Sequence, residues 1–365
     1  MKIGILGYGT VGQGVVQILD QMSKVEVKVV KIFDLPYKRE LIGSRFTDDL
    51  DKILNDKSIE LVVEVMGGGT FAYECIKKSL NACKSVVTAN KEVISNHLDE
   101  LNSLAIMKKV GLRFEASVGG GIPILNNIAA NSQFDQIKEV YGIINGTTNY
   151  ILSQMSKGKS FASALETAKK HGFAEADPTA DLEGLDMVRK IAILSDLAFQ
   201  TQVDINQIWN YPITKVDYEI ITFLKKQQYV LKYVASSVRE LNSLTILVEP
   251  TIIPEQHQLA NINDENNTII YKGLYNEQVQ VSGKGAGSLP TASAIVSDIL
   301  AIKYQPQLPY ANRTNYYVNQ NLEKVARYLI VSEDEKPTFI KTSLNAIKEM
   351  KKLRFYARVW EEDHE

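Results

Sequence analysis

Between residues 174 and 194 the sequence reads AEADPTADLEGLDMVRKIAIL, which sets five carboxylates, Glu175, Asp177, Asp181, Glu183 and Asp186, ahead of Arg189, Lys190 and an apolar run. Carboxylates at this density can bind an ammonium group, and a lysine beyond them can stabilise and protonate an oxygen on which negative charge grows. A solvated acidic loop has the same composition, so the pattern around it must decide. Asp177-Pro178 breaks any helix, because the residue before proline is pushed out of the α region. A new helix is expected from near Glu183 through Leu185, Val188, Ile191, Ala192 and Leu194. Asp186 and Lys190 are then four apart on one face, while Arg189 projects elsewhere. Exposed, such a pair is worth about 0.3–0.5 kcal/mol. Here the apolar residues are so dense that little of the helix can face water, and a buried carboxylate and lysine need partners.

Three further segments carry chemistry. Gly7, Gly9 and Gly12 form G-x-G-x-x-G directly after the strand KIGIL and before a helix near Val11–Met22. In that context the glycines permit a tight turn, close backbone approach to a pyrophosphate, and helix–strand packing, with phosphates at the helix N-terminus. Asp34 follows Gly12 by 22 residues and suits the ribose hydroxyls of NAD, with a turn residue before Pro36 as the alternative. Lys38 and Arg39 would meet a 2′-phosphate, and admit NADP, if their loop folds inward. SVVTANKEV puts Lys91 at the carboxyl edge of a buried strand, either as a site residue or as a solvated helix start. EASVGGGIP joins Glu115 to three glycines and suits an ion or ligand, or a plain flexible loop. In GIINGTTNYIL, Thr147 or Thr148 is expected as a helix N-cap, with a hydroxyl and backbone cradle for a polar substrate as the alternative.

The elements that must position these residues fall into two patterns. Through residue 120, β-like runs (KIGIL, VEVKVVKIF, ELVVEVM, SVVTA, GLRFEAS) alternate with helices near Val11–Met22, Asp48–Leu54, Thr70–Asn81 and Leu98–Lys108, which implies βαβ units and a doubly wound parallel sheet. Past Pro123, helices at Ile124–Asn131, Thr148–Lys157, Phe161–His171 and Leu185–Phe199 mix with strands IKEVYGII, YVLKYVASSV, LTILVEP, NTIIYKG and VQVSG, an α+β domain. The helix TASAIVSDILAIKY is expected to return to the first domain, PQLP at 306–309 reads as a linker, and the tail reads VARYLIV strand, PTFIKTSLNAIKEMKK helix, LRFYARVW strand. The fold class is therefore α/β, with residues 1–130 plus about 285–308 for dinucleotide, 131–284 for substrate, and 320–365 a small β-α-β module. The 365 residues, 45% hydrophobic and 23% charged, suit ordered globular domains. With 41 basic and 43 acidic residues there is no basic excess to attract nucleic acid or an anionic membrane, which leaves a small-molecule partner. Two cysteines, Cys75 and Cys83, make neither a disulfide framework nor a thiolate metal site; without a signal peptide or membrane-length apolar run, a cytoplasmic protein is expected.

Taken together, GILGYGTVGQG, VVTANKEV, EASVGGGIPI, GIINGTTNYIL, EADPTADLEGLDMVRK and GAGSLPTASAIVSD resemble homoserine dehydrogenase over about residues 1–305. The resemblance implies NAD(P)-linked interconversion of aspartate 4-semialdehyde and homoserine, in the pathway to threonine and methionine, by a homodimer formed through the second domain's sheet. It implies Lys190 as proton donor beside Asp186, with Lys91 near both nicotinamide and substrate. Glu175 is implied to bind the substrate's amino group, with Asp181, Gly146 and Thr147 also at the substrate. The cofactor is implied to lie against Gly7, Gly9, Thr10, Val11, Gly12, Asp34, Met66, Gly67, Lys91 and Gly287. Glu115, with the main-chain oxygens of Val118, Gly120 and Ile122, is implied to hold a monovalent cation, sodium in most members.

Two features depart from the family pattern. Phe33 stands before Asp34 where many members carry arginine, which leans the cofactor towards NAD, and the tail has room for only one strand–helix–strand unit where many members end in a complete ACT regulatory domain. Competing readings are another amino-acid-linked oxidoreductase, such as an aspartate dehydrogenase, and a non-catalytic dinucleotide sensor. The ionisable stretch at 174–194 argues against the sensor.

Overall fold

The computed structural model describes residues 1–305, 310, 315–333 and 336–361; the expected linker at 306–309 lies outside the described residues. The chain divides into two compact units, Met1–Gln133 with Ala286–Arg313, and Phe134–Gly285 with Thr314–Glu365.

In the first unit six strands, β1 (Lys2–Leu6), β2 (Lys28–Phe33), β3 (Phe46–Thr47), β4 (Ile59–Glu64), β5 (Ser85–Thr88) and β6 (Leu112–Arg113), run parallel in the order β3-β2-β1-β4-β5-β6. Their side chains are apolar on both faces, Ile3, Ile5, Leu61, Val62 and Val63 being fully buried, because helices cover both faces of a parallel sheet. The helices are α1 (Thr10–Gln21), the short α2 (Arg39–Ile42) and α3 (Asp51–Leu54), α4 (Thr70–Asn81), α5 (Lys91–Lys108) and α6 (Leu125–Asn131). The helix Ser288–Tyr304 belongs to this unit, where Ala292, Ile295 and Ile299 pack with Val15 and Leu19 of α1. Strand order reverses direction between β1 and β4, so the ligand crevice of such a sheet opens beyond the carboxyl ends of those strands.

The expected boundaries of α5 and β6 change. Helix α5 begins at Lys91, not near Leu98, because the Asn90 side chain accepts a hydrogen bond from Val93 N (3.1 Å) and caps it. The run GLRFEAS pairs only over Leu112–Arg113, since Glu115–Ser117 coils into a 3-10 turn that takes the Glu115 carboxylate to the start of α6.

The second unit is built on a ten-stranded mixed sheet. Its strands are β7 (Glu139–Ile143), β8 (Trp209–Asn210), β9 (Tyr229–Glu240), β10 (Ser243–Pro254), β11 (Asn266–Lys272), β12 (Gln278–Lys284), β13 (Val318–Asn319), β14 (Val325–Ser332), β15 (Thr338–Ser343) and β16 (Leu353–Val359). The order is β12-β11-β7-β9-β10-β16-β14-β15, with β8 and β13 also pairing β10. Helices α7 (Gly146–Ser156), α8 (Phe161–Lys170), α9 (Thr179–Leu182), α10 (Leu185–Phe199) and α11 (Tyr218–Lys225) complete it. The tail differs from expectation: Thr338–Ser343 is a strand paired antiparallel with β14, and only Leu344–Lys348 is helical. Thr338, Phe339, Ile340 and Thr342 are β-branched or aromatic and favour a pleated surface, and Ser343 caps the short helix. Strand β16 then joins β10 in parallel through Thr251↔Arg358 and Ile252↔Val359, so the tail extends this unit's sheet. Among the described residues no helix is long and apolar enough to cross a membrane.

Candidate active site

Helix α10 starts at Gly184, whose φ of +80° is a left-handed conformation that glycine adopts freely; a Cβ there would strike the Tyr233 hydroxyl and Asn210. Every residue of α10 except Leu185 and Arg189 is buried, as the density of its apolar residues requires. Asp186 and Lys190 form the expected i,i+4 pair, Nζ to Oδ2 at 2.7 Å, with side chains only 4% and 9% exposed. Lys190 Nζ also donates to the Ile144 carbonyl at 2.8 Å, at the end of β7. Burial without compensation would neutralise both groups; the carboxylate and the carbonyl instead favour the charged ammonium.

The turn into α7 closes over this pair. Asn145, not Thr147 or Thr148, is the N-cap: its Oδ1 accepts from Thr148 N at 2.9 Å. The same side chain donates through Nδ2 to Asp181 Oδ1 (2.8 Å) and Asp186 Oδ2 (2.9 Å). Thr147 Oγ1 lies 2.9 Å from Asp181 Oδ2 and 2.6 Å from the Phe173 carbonyl, so its single proton is shared between these two acceptors. A Cβ on Gly146 would press on the Glu265 carbonyl, so only glycine fits this turn closely. Asp181, Asp186, Thr147 and Lys190 therefore share one hydrogen-bonded cluster. Glu175 lies exposed in the connection from α8 to α9, and Asp177 caps the turn at Thr179. Asn145 and the Ile144 carbonyl were not singled out from the sequence; the signal available was an asparagine three residues ahead of Thr148 at a strand–helix junction.

In the first unit the glycine turn has the form a pyrophosphate needs. Gly7 has φ of +101°, a Cβ on Gly12 would collide with the Gly7 carbonyl, and Gly9 faces open space. Helix α1 opens with Thr10 and Val11, has no side-chain cap and no acidic residue in its first turn, which leaves its amides and dipole to an anion. Gly287, at φ +122°, adjoins this turn through Ser288 Oγ, which donates to the Thr10 carbonyl at 2.7 Å. Asp34 accepts from the amides of Tyr8 and Leu35, and from Lys38 Nζ at 3.2 Å. Burial opposes its ionisation, but the two amides and the Lys38 ammonium outweigh it and hold the carboxyl below its ordinary value. The loop does fold inward for Lys38, which also reaches the Tyr8 carbonyl at 3.1 Å, whereas Arg39 turns away to Asp48.

Beyond β4 and β5 the two loops are laced together by a buried residue the sequence did not flag. Glu64 accepts from Met66 N (2.8 Å) and Thr88 Oγ1 (2.6 Å), and Asn90 Nδ2 donates to the Gly68 carbonyl (2.7 Å). Burial pushes the Glu64 carboxyl up, with the Thr88 and Met66 bonds opposing. The lacing sets Met66, Gly67 and the half-buried Lys91 along one edge of the sheet. Glu115 is also buried; its Oε1 accepts from Ile124 N and Leu125 N, its Oε2 from Asn126 N. Burial raises its carboxyl to about 7, against the pull of those amides. Val118, Gly120 and Ile122 line the same buried loop, where Gly119 and Gly120 take left-handed φ of +73° and +56°. Among the described residues no three His, Cys, Asp or Glu side chains converge to hold a metal ion.

A parallel sheet in this strand order, with a bare glycine turn feeding α1 and an acidic residue just beyond β2, defines a dinucleotide-binding protein. The comparisons narrow the class. The family model for "Homoserine dehydrogenase, NAD binding domain" matches residues 7–115, and that for "Homoserine dehydrogenase" matches residues 123–300. The homoserine dehydrogenase of Bacillus subtilis is 37% identical over 336 residues, covering 89% of this chain and 77% of that protein. That of Synechocystis is 39% identical over 316 residues, covering 83% and 73%. Among solved structures, the homoserine dehydrogenase of Thiobacillus denitrificans superposes with a TM-score of 0.90 at 27% identity, covering 99% of this chain and 98% of that one. A hyperthermophilic archaeal homoserine dehydrogenase in complex with NADPH gives 0.72 at 25%, covering 86% and 99%. The chain belongs to the homoserine dehydrogenase family. It is an NAD(P)-dependent oxidoreductase acting on the homoserine hydroxyl, in amino-acid biosynthesis.

Proposed function

We propose that Lys190 is the general acid and base of the reaction, held charged by Asp186, and that the two units divide the work: dinucleotide on the first, substrate and proton on the second. The observation that carries this reading is the buried pair at 2.7 Å. A buried ion pair adds little net stability over apolar residues of the same volume, so a chemical role accounts for it better. Negative charge grows on the aldehyde oxygen during reduction; the Lys190 ammonium stabilises and protonates it, and takes the proton back from the hydroxyl in the reverse direction. The bound dinucleotide supplies or accepts the hydride. Gly146 and Thr147, at the positive end of α7, suit the substrate carboxylate. Glu175 suits its ammonium group, Asp181 supports the cluster from behind, and Lys91 serves the nicotinamide end. Steady-state homoserine oxidation with NAD and NADP side by side tests the assignment; turnover of aspartate but not homoserine would overturn it.

For the cofactor we favour NAD, because Asp34 is held as an anion at the end of β2. Lys38 tempers that preference by sitting on the carboxylate. Lys38→Ala is expected to widen the ratio of kcat/KM for NAD over NADP by about tenfold, one charge-assisted contact's worth. An unchanged ratio would count against Lys38 as the tuning group.

Glu115 and the main-chain oxygens of Val118, Gly120 and Ile122 fit a monovalent cation: all are hard oxygen donors, and Glu115 Oε2 accepts a single amide among the described residues. Replacing sodium by tetramethylammonium at constant ionic strength is expected to lower activity, with recovery on adding sodium. Equal activity in both salts would remove the cation from the account.

A further inference from the structure

We propose that Asn145 is a positioning residue for this reaction, locking the Asp186 carboxylate against Lys190 and tying it to Asp181 through one side-chain amide. The inference rests on Lys190 being the proton donor.

Both ends of the amide are fully used. Oδ1 accepts from Thr148 N (2.9 Å) and Thr148 Oγ1 (3.0 Å), while Nδ2 donates to Asp181 Oδ1 (2.8 Å) and Asp186 Oδ2 (2.9 Å). Only this orientation works: turned over, the amide would set N–H against the Thr148 N–H and oxygen against two carboxylates. The oxygen it grips on Asp186 is the one bonded to Lys190, so the carboxylate cannot rotate without breaking both contacts. One residue earlier, the Ile144 carbonyl accepts from Lys190. Residues 144 and 145 thus fix both members of the pair from outside α10. Helix α9 is bound into the same arrangement, because Asp181 takes Asn145 on one oxygen and Thr147 on the other. Without the shared donor, two carboxylates would face each other across the cluster and repel.

The cap and the bridge use different atoms and can be separated by substitution. Serine is a competent N-cap but too short to reach Asp181 or Asp186; aspartate caps equally well but presents oxygen to both. Asn145→Ser is expected to stay folded and keep its dinucleotide affinity, with a thermal midpoint lowered by the lost contacts to Asp181 and Asp186, while kcat falls about ten- to hundredfold, the scale of a misplaced catalytic group. The KM for homoserine should change less than kcat. The solvent deuterium isotope effect on kcat should rise, since proton transfer becomes the slower step, and Asn145→Asp should lower kcat at least as far. A fall in kcat with an unchanged isotope effect would reduce Asn145 to a structural role and overturn the proposal. So would wild-type kcat in Asn145→Ser when Lys190→Ala is inactive. Wild-type-like turnover in Lys190→Ala would instead overturn the reading on which the proposal rests.

Discussion

Lys190→Ala is expected to lower turnover by on the order of 10²–10⁴ while leaving dinucleotide affinity nearly unchanged. Affinity should survive because the glycine turn, Asp34 and the α1 N-terminus belong to the other compact unit. Turnover should not, because an alanine offers no proton and no positive charge to the oxygen being reduced. The substitution also strands Asp186 in a buried site, and removing one partner of a buried pair destabilises by roughly 3–5 kcal/mol. Lys190→Met combined with Asp186→Asn removes the charges together and keeps the volume, so a loss of turnover at a retained thermal midpoint isolates the chemistry. Wild-type-like kcat in either variant would end the assignment of Lys190.

Glu249→Gln is expected to gain stability relative to the unsubstituted protein as pH rises, and the gain should level off near neutrality. Glu249 lies on β10 opposite Val234, is 2% exposed, and no group among the described residues donates to either of its oxygens. Burial lifts its carboxyl from 4.5 to about 7, only partly relieved by the charge of Arg358. Because the folded value is the higher one, the folded chain binds the proton more tightly than the unfolded chain between those pH values. Folding stability contributed by this group is therefore intact below about 4.5 and is lost progressively as pH climbs to about 7. The total is about 3 kcal/mol, since each tenfold difference in proton affinity between the folded and unfolded chains is worth about 1.4 kcal/mol. The glutamine amide is also buried without an evident partner, but its cost is independent of pH, so the difference in unfolding free energy between the two proteins should be flat at acid pH and climb through this window. A difference that stays constant from pH 4 to 8 would show that Glu249 finds a partner or water when ionised.

Much of the dinucleotide unit was legible from residue order. Strand β1, the glycine turn and α1 announce themselves because the constraints are local: apolar runs of strand length, a positive φ at Gly7, and contact between Gly12 and the Gly7 carbonyl. Helix α10 was equally legible, since its periodicity places Asp186 and Lys190 on one face whatever the helix packs against. Boundaries set by side-chain caps were less so. The Asn90 cap moves the start of α5 forward to Lys91, and the Glu115 carboxylate shortens β6, in both cases through a polar contact stronger than the weak local preference of the backbone.

The tail shows the same limit. A run containing Asn345, Ala346, Lys348 and Glu349 reads as helix, yet its first half, Thr338–Ser343, pairs with β14 because the sheet offers it partners. Strand preference is a matter of available neighbours and is invisible until the neighbours are known.

By itself the sequence determined the class of sheet, the phosphate-binding turn, and an ion pair on a buried helix, because these follow from spacing along one chain segment. Tertiary structure alone decided that Asn145 bridges Asp181 and Asp186, that the Ile144 carbonyl meets Lys190, and that Glu64 laces two loops together. Each of these joins groups from different elements. Hydrogen bonds act over about 3 Å, so which distant polar groups meet depends on how the apolar faces pack, and no local pattern in the residues encodes it.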